Sequence, residues 1–418
     1  MREQFVIQGG TPLKGEVQIR GAKNSTFPIL AATLLTKEPC VIDNFPLIED
    51  ALKMLEILKE IGSEITWLGE RKIKIVNNRI DPLKMPNSII TKFRGSVLLI
   101  GPLLARFKKV RMPFPGGCLI GARSIDTHLD AFLQLGIDIK KEKFYTLSFK
   151  KIKNNQVVLR EISVTGTENI LLFSALQKKI IIDIADQDYA NQELALVLSK
   201  MGTKIKSGFH CFEISGKKQL KGFSHFIHSD PIETGTFIVA ALATKGEIII
   251  KKANLVFLKL FLKRLKDFGA EFKILNQETI KVFSSNKLRI DKIQSLPYPG
   301  ISTDLQPELG VLATQNQGPT LIHDPLYEGR LKYLEQLNKM GANIFFSDPH
   351  RAIINGPTPL KGVEMSSMDL RAGAAFLIAG LAAKGKTIIN DVYQIDRGYE
   401  KIEQRFIKLG ANIKRICL

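Results

Sequence analysis

Leu58-Lys59-Glu60-Ile61-Gly62 sets two apolar residues three apart and follows them with glycine. That spacing predicts the last turn of an amphipathic helix closed by a glycine cap. The same order of apolar, two mostly polar, apolar and Gly recurs at Gly136, Gly202, Gly269, Gly341 and Gly410, with gaps of 74, 66, 67, 72 and 69 residues. A short strand follows each glycine, as in Ala411-Asn412-Ile413. The chain of 418 residues therefore reads as six copies of one unit of about 70 residues.

Two further patterns carry the same period. An apolar helix, a short polar turn and a strand are clear at Phe237 to Ala253 and at Phe376 to Val392, with weaker copies from Ile29, Leu99, Ile170 and Leu309. The triplet Leu-Lys-Gly joins strands at Leu13-Lys14-Gly15, Leu220-Lys221-Gly222 and Leu360-Lys361-Gly362. Each copy is a βαβαββ-type unit of an α/β fold, and its helices need neighbouring copies to bury them. Six units exceed a single core, so two globular halves of three units each are expected. A long solenoid is the less fitting alternative, because no atypical capping repeats flank the array.

Composition narrows the class. Hydrophobic residues make up 44% and charged residues 24%, an ordinary globular balance. The longest apolar stretch, around Ala374 to Ala383, is about half the ~20 residues a membrane helix needs. Cys40, Cys118, Cys211 and Cys417 are far apart and form no C-x-x-C pair, so neither a disulfide framework nor a zinc site is expected, and a cytoplasmic protein fits. The net charge of +19 points to anionic partners or to a lysine-rich solvated surface. No nucleic-acid motif accompanies it.

Cations break the repeat at matched places. Before the first helix of successive units stand Gly21-Ala22-Lys23-Asn24, Phe93-Arg94-Gly95-Ser96, Val164-Thr165-Gly166-Thr167, Ile232-Glu233-Thr234-Gly235, Thr303-Asp304-Leu305-Gln306 and Asp369-Leu370-Arg371-Ala372. Ordinary N-capping accounts for Thr234 and Asp304. It does not account for Lys23, Arg94 or Arg371, since the helix dipole disfavours a cation at its N-terminus. Arg123, Arg330 and Arg397 form a second level, 13, 11 and 13 residues before their repeat glycines. Guanidinium groups bind carboxylate and phosphate in a bidentate manner, so six cations at two levels predict a small, highly charged substrate. The second unit is about four residues longer than the others, at Pro115-Gly116-Gly117-Cys118-Leu119-Ile120-Gly121-Ala122-Arg123. Its glycines allow a mobile loop, and Arg123 near Cys118 favours a reactive thiolate.

These motifs resemble the UDP-N-acetylglucosamine enolpyruvyl transferases of the EPSP synthase superfamily, from about Phe5 onward. The resemblance rests on Gly21-Ala22-Lys23-Asn24, Pro115 to Arg123, Ile232-Glu233-Thr234-Gly235-Thr236, Thr303-Asp304 and Ile395-Asp396-Arg397-Gly398-Tyr399-Glu400. It implies an inside-out α/β barrel, or prism, of two similar domains, residues 22–229 and residues 1–21 with 230–418, and a cleft between them. The activity it implies is transfer of the enolpyruvyl group of phosphoenolpyruvate to UDP-N-acetylglucosamine for peptidoglycan synthesis, with no metal or organic cofactor. Cys118 would be the proton donor and Asp304 the base at the sugar hydroxyl. Lys23, Arg123 and Arg397 would hold phosphoenolpyruvate, with Asn24, Arg330 and Arg371 completing that charged site. Asn24, Arg94, Arg123, Ser124, Ile125, Asp126, Thr127, Ser163, Val164, Asp304 and Leu326 would contact the sugar nucleotide.

The chain departs from the family pattern at Glu161, where a lysine is common, and at Ser124, where proline is usual. Further departures are Gln187-Asp188-Tyr189-Ala190, Pro231, Gly329 and Gln394. They motivate a second reading, a UDP-sugar-binding paralogue that turns over poorly. An enzyme acting on shikimate 3-phosphate shares the six-unit fold but lacks the cysteine loop. A basic nucleic-acid-binding protein is motivated by the charge alone.

Overall fold

The computed structural model describes residues 3–91, 94–114, 116, 124–285 and 287–417. All six repeat glycines adopt positive φ, from 82° at Gly136 to 108° at Gly62. In each copy the amide after the glycine donates back across the last helical turn, as Ser63 N does to Leu58 O at 2.8 Å and Ala411 N to Phe406 O at 3.0 Å. This closure needs a left-handed residue, which glycine supplies without steric cost. The carbonyl just before each glycine is satisfied in a repeating way as well. Those of Ile61, Leu135, Met201, Phe268, Met340 and Leu409 accept from the amides of Asp81, Lys153, Lys221, Arg289, Lys361 and Lys14. The Leu-Lys-Gly triplets thus serve as the seats of three helix ends.

Among the described residues twelve helices follow the repeat: α1 Lys23–Thr33, α2 Glu49–Glu60, α3 Ile100–Phe107, α4 Asp126–Gln134, α5 Val164–Ser174, α6 Tyr189–Lys200, α7 Pro231–Ala243, α8 Lys259–Asp267, α9 Gln306–Ala313, α10 Tyr333–Lys339, α11 Leu370–Ala382 and α12 Ile402–Lys408. The odd-numbered helices are apolar nearly all round and lie buried: all thirteen residues of α7 and eleven of thirteen in α11 are inaccessible. Such a helix is stable only when enclosed on every side. The even-numbered helices are amphipathic, with charged outer faces such as Lys259, Lys263, Arg264 and Lys266 on α8.

The described residues form two compact units. One contains residues 3–20 and 229–417, where α7, α9 and α11 pack together among three four-stranded sheets. Glu364–Ser366, Lys386–Asn390, Glu3–Gln8 and Asn412–Cys417 lie in that order in the first sheet. Lys14–Gln18, Glu247–Lys251, Thr279–Val282 and Phe272–Asn276 form the second, and Lys292–Gln294, Gly318–His323, Arg351–Gly356 and Asn343–Asp348 the third. Every sheet has one parallel pair followed by two antiparallel pairs. Helices inside and sheets outside make the inside-out α/β arrangement expected from the sequence.

The other unit, residues 21–228 where described, repeats the plan with α1, α3 and α5 inside. Its sheets Ser224–Phe226, Cys40–Asp43, Lys72–Val76, Glu64–Gly69 and Gln156–Val158, Ile180–Asp183, Cys211–Ser215, Lys204–Gly208 keep the same pairing. The third sheet has three antiparallel strands among the described residues, Lys109–Met112, Tyr145–Ser148 and Asp138–Lys141. No helix among the described residues is long and apolar enough to cross a membrane.

Four strands end on a left-handed residue: Asn44 at φ 55°, Ile184 at 57°, Lys252 at 54° and Asp391 at 56°. Asn and Asp tolerate this conformation, but β-branched Ile184 does so at a cost of roughly 1–2 kcal/mol. Ile184 is also 42% exposed, so its side chain contributes little burial. Ile184→Asn is expected to stabilise by about 1 kcal/mol, raising the thermal midpoint by roughly 2–4 °C. A midpoint at or below wild type in calorimetry would show that the turn is not strained.

Candidate active site

At the N-terminal ends of α9 and α11 the first unit gathers a buried ion cluster. Asp304 stands just before α9, Arg330 opens a 3₁₀ turn ahead of α10, and Arg371 is the second residue of α11. Arg371 Nη2 donates to Asp304 Oδ2 at 3.0 Å, and Arg330 Nη2 to Asp304 Oδ1 at 3.3 Å. Both arginine side chains are 3% exposed, whereas Asp304 keeps 23%. One carboxylate therefore compensates two cations that burial would otherwise penalise heavily. Burial opposes the Arg371 charge, but the carboxylates of Asp304, Asp230 and Glu308 outweigh it and hold its pKa well above the ordinary value.

A second ring of polar groups fixes this cluster. Arg330 Nε donates to Thr303 Oγ1 at 3.0 Å, and the Thr303 hydroxyl donates to Asp324 Oδ2 at 2.5 Å. Asp324 Oδ1 accepts from the amides of Leu326 and Tyr327, which sets the backbone of Leu326. On the other side Arg371 Nη1 donates to the Tyr399 hydroxyl at 3.0 Å, and Tyr399 donates to Glu308 Oε1 at 3.2 Å. Arg397 donates to Gln394 Oε1 at 3.1 Å. Its neighbour Asp396 has a structural task, accepting from Arg415 at 2.7 and 2.9 Å.

In the second unit Lys23 opens α1, and its Nζ lies 2.9 Å from Asp50 Oδ2 on α2, both nearly inaccessible. Asn24 follows it, half-buried. A separate group forms where α4 and α5 begin. Arg94 Nη2 donates to the Ser124 carbonyl at 2.9 Å, and the amide of Asp126 donates to Ser124 Oγ at 3.3 Å. Ser124 is exposed, whereas Ile125 is buried. Thr127 Oγ1 donates to Glu161 Oε1 at 2.9 Å. Ser163 caps α5 by accepting from Gly166 N at 3.2 Å, and Val164 is the first residue of that helix. Beneath them His128 lies between Thr165 Oγ1 at 3.1 Å and Asn169 Nδ2 at 2.8 Å. Burial and then the Arg94 charge push its pKa down to about 3, so this imidazole is neutral and structural.

The sequence matches the family EPSP synthase (3-phosphoshikimate 1-carboxyvinyltransferase) over residues 7–406. It is 40% identical to UDP-N-acetylglucosamine 1-carboxyvinyltransferase 1 of Carboxydothermus hydrogenoformans, over 99% of this chain and 98% of that one. A Finegoldia magna protein named UDP-N-acetylglucosamine 1-carboxyvinyltransferase is 37% identical, over 99% of each chain. The chain belongs to the UDP-N-acetylglucosamine 1-carboxyvinyltransferase family.

Solved structures of wider relatives share this family's fold. The enolpyruvyl transferase NikO from Streptomyces tendae superposes with a TM-score of 0.90 at 22% identity, covering 99% of each chain. EPSP synthase from Acinetobacter baumannii gives 0.77 at 18% identity, covering 100% of each.

In this carboxyvinyltransferase family member Thr234 and Asp304 do not cap helices. Thr234 lies inside α7 and donates to the Asp230 carbonyl, while Asp230 and Asp369 are the caps of α7 and α11. Asp304 is instead drawn to two guanidinium groups, whose charge-assisted bonds outcompete backbone amides. Cys118 and Arg123 lie outside the described residues, as does the whole of 117–123. Asp50, Glu308, Tyr399 and Asp324 were not singled out from the sequence as partners. Glu308, four residues after Asp304, and Tyr399, two after Arg397, carried a local signal.

Proposed function

We infer that the protein transfers the enolpyruvyl group of phosphoenolpyruvate to the 3-hydroxyl of UDP-N-acetylglucosamine, releasing phosphate. This is the first committed step of peptidoglycan synthesis, and on this reading the enzyme is cytoplasmic. Full-length identity of 40% to a relative bearing that name supports it. The observation that carries it is the partly exposed Asp304 carboxylate fixed between buried Arg330 and Arg371. A carboxylate so oriented can accept a proton from a hydroxyl, and the fixed cations can answer anionic substrate.

The reaction runs by addition and elimination. Cys118 delivers a proton to the methylene carbon of phosphoenolpyruvate. Asp304 removes the sugar hydroxyl proton as that oxygen bonds to the adjacent carbon, giving a tetrahedral adduct. The Cys118 thiolate takes a proton back from the new methyl group and phosphate departs with the proton that Asp304 holds, which restores the double bond and both residues. Lys23, Arg123 and Arg397 are assigned to phosphoenolpyruvate, as are Asn24, Arg330 and Arg371. Arg94, Ser124, Ile125, Asp126, Thr127, Ser163, Val164 and the Leu326 backbone bind the sugar nucleotide, with Asn24 and Arg123 serving both substrates.

Phosphate release from phosphoenolpyruvate with UDP-N-acetylglucosamine tests the reading, with shikimate 3-phosphate as control acceptor. Release with the shikimate ester in place of the sugar nucleotide would overturn it. Tight sugar-nucleotide binding without release would favour the weakly active paralogue.

Glu161 supplies a sharper check on the nucleotide site. It accepts from Thr127, one of the residues assigned to the sugar nucleotide. A negative charge there opposes a diphosphate. Glu161→Lys should tighten UDP-N-acetylglucosamine binding in calorimetry by roughly 5- to 30-fold, since reversing one nearby exposed charge is worth about 1–2 kcal/mol. Unchanged or weaker binding would remove Glu161 from the diphosphate's surroundings.

A further inference from the structure

Glu308 is a buried titratable group that the proposed reaction leaves unused. It projects from α9 into a pocket also lined by Thr236 of α7, Arg371 of α11 and Tyr399. Its Oε1 accepts from Tyr399 at 3.2 Å and lies 3.1 Å from Thr236 Oγ1, while Thr236 and Tyr399 are 2.9 Å apart. Its Oε2 is buried with no hydrogen-bond partner among the described residues. An apolar side chain would avoid the cost of this orphaned oxygen, so packing alone does not explain a carboxyl here.

We infer that Glu308 is a positioning residue that sets, through Tyr399 and Arg371, how readily Asp304 accepts a proton. The inference rests on Asp304 being the base of the proposed reaction. The guanidinium of Arg371 is forked between the two acids: Nη2 holds Asp304 and Nη1 holds the hydroxyl that serves Glu308. When Glu308 ionises, its charge draws on Arg371 and repels the charge on Asp304. Like charges raise each other's proton affinity, and the effect is reciprocal. Asp304 therefore becomes the stronger base when Glu308 is ionised and the weaker when it is neutral.

The surroundings put that change in a useful range. Burial raises the Glu308 carboxyl most, Arg371 and the Thr236 hydroxyl pull it back, and Asp304 adds to the rise, leaving it at about 7. Tyr399 and Tyr333 also face it, and burial raises both phenols, so neither competes for the proton near neutrality. Arg330 and Asp324 act on Tyr333, and Asp230 on Arg371, completing the charged groups around the pocket.

The test is the pH profile of kcat, read by phosphate release at saturating phosphoenolpyruvate and UDP-N-acetylglucosamine between pH 5.5 and 9. Wild type is expected to gain activity through an inflection near neutral pH. Glu308→Gln should lose that inflection, with kcat roughly three- to tenfold below wild type at pH 8, within about twofold at pH 6, and KM for both substrates little changed. Tyr399→Phe removes a donor to the ionised carboxylate and should move the inflection to higher pH. Thermal midpoints at pH 6 establish that both variants are folded. An inflection that persists unchanged in folded Glu308→Gln overturns the inference and leaves the transferase reading standing. A wild type that releases no phosphate overturns that reading and takes the inference with it.

Discussion

Asp304→Asn is expected to lower kcat by at least about 100-fold, the usual low end for loss of a general base. The amide keeps the shape of the side chain and one acceptor oxygen, so sugar-nucleotide binding should stay largely intact. Its effect on folding comes from the two arginines. Arg330 and Arg371 are almost wholly buried, and Asp304 is the carboxylate that both of them hold. Breaking a buried ion pair by removing one partner costs roughly 3–5 kcal/mol. The 23% exposure of Asp304 and the hydroxyl partners Thr303 and Tyr399 make the lower part of that range the expectation. Kinetics should therefore be measured on variant protein shown to be folded, with the sugar-nucleotide affinity determined in parallel. Turnover near wild type in that protein would strip Asp304 of the base role and leave it as a structural counter-ion.

Cys118→Ser is expected to be largely inactive in turnover, because a hydroxyl is a far weaker acid than a thiol. Cys118→Asp should retain activity, since a carboxyl group can deliver the proton instead. The family resemblance adds a chemical probe: fosfomycin, an epoxide phosphonate, should alkylate Cys118 with time dependence and faster in the presence of UDP-N-acetylglucosamine. The phosphonate would occupy the cations assigned to phosphoenolpyruvate. The remaining thiols make the labelling pattern diagnostic. Cys40 is buried, and burial pushes its pKa up to about 12, so it offers almost no thiolate at neutral pH. Burial and then Asp183 raise the Cys211 thiol as well. The adduct should map by mass spectrometry to the Cys118 peptide and to none containing Cys40, Cys211 or Cys417. Normal turnover undisturbed by millimolar fosfomycin would separate Cys118 from the reacting carbon.

The fold was legible because its signal is local and repeated. A positive-φ glycine after an i, i+3 apolar pair is written in five consecutive residues, and all six copies adopt the same closure. The continuous apolar runs of α7 and α11 likewise announce helices enclosed on all sides. The polar pairings were less legible because they join residues far apart in sequence. Asp304 looked like a helix cap when read beside Leu305 and Gln306, yet its partners are 26 and 67 residues away. Asp369 is the actual cap at the neighbouring helix, which frees Arg371 to extend toward Asp304. Nothing near Tyr399 in sequence indicates that its hydroxyl would meet Thr236 and Glu308, 163 and 91 residues earlier. Charge at a helix N-terminus marked Lys23 and Arg371 as unusual, but only the packing of neighbouring helices supplies Asp50 and Asp304 as their counter-ions.

The strand Glu3–Gln8 lies between Lys386–Asn390 and Asn412–Cys417, so its two neighbours are made almost 400 residues after it. At roughly 5–20 residues per second, about 20–80 s separate its synthesis from theirs. Throughout that interval Phe5 and Ile7, fully buried in the finished fold, have no sheet to enter. The unit spanning 21–228 waits about half as long, roughly 9–36 s, because its most distant strand pair joins Ser224–Phe226 to Cys40–Asp43. Translation thus imposes an order on assembly, in which the unit holding residues 3–20 and 229–417 is completed after the one spanning 21–228. The nascent chain must meanwhile keep an apolar strand from pairing elsewhere, and a stalled or truncated product lacking residues 412–417 would leave that strand with an open edge, the kind of surface on which aggregation starts.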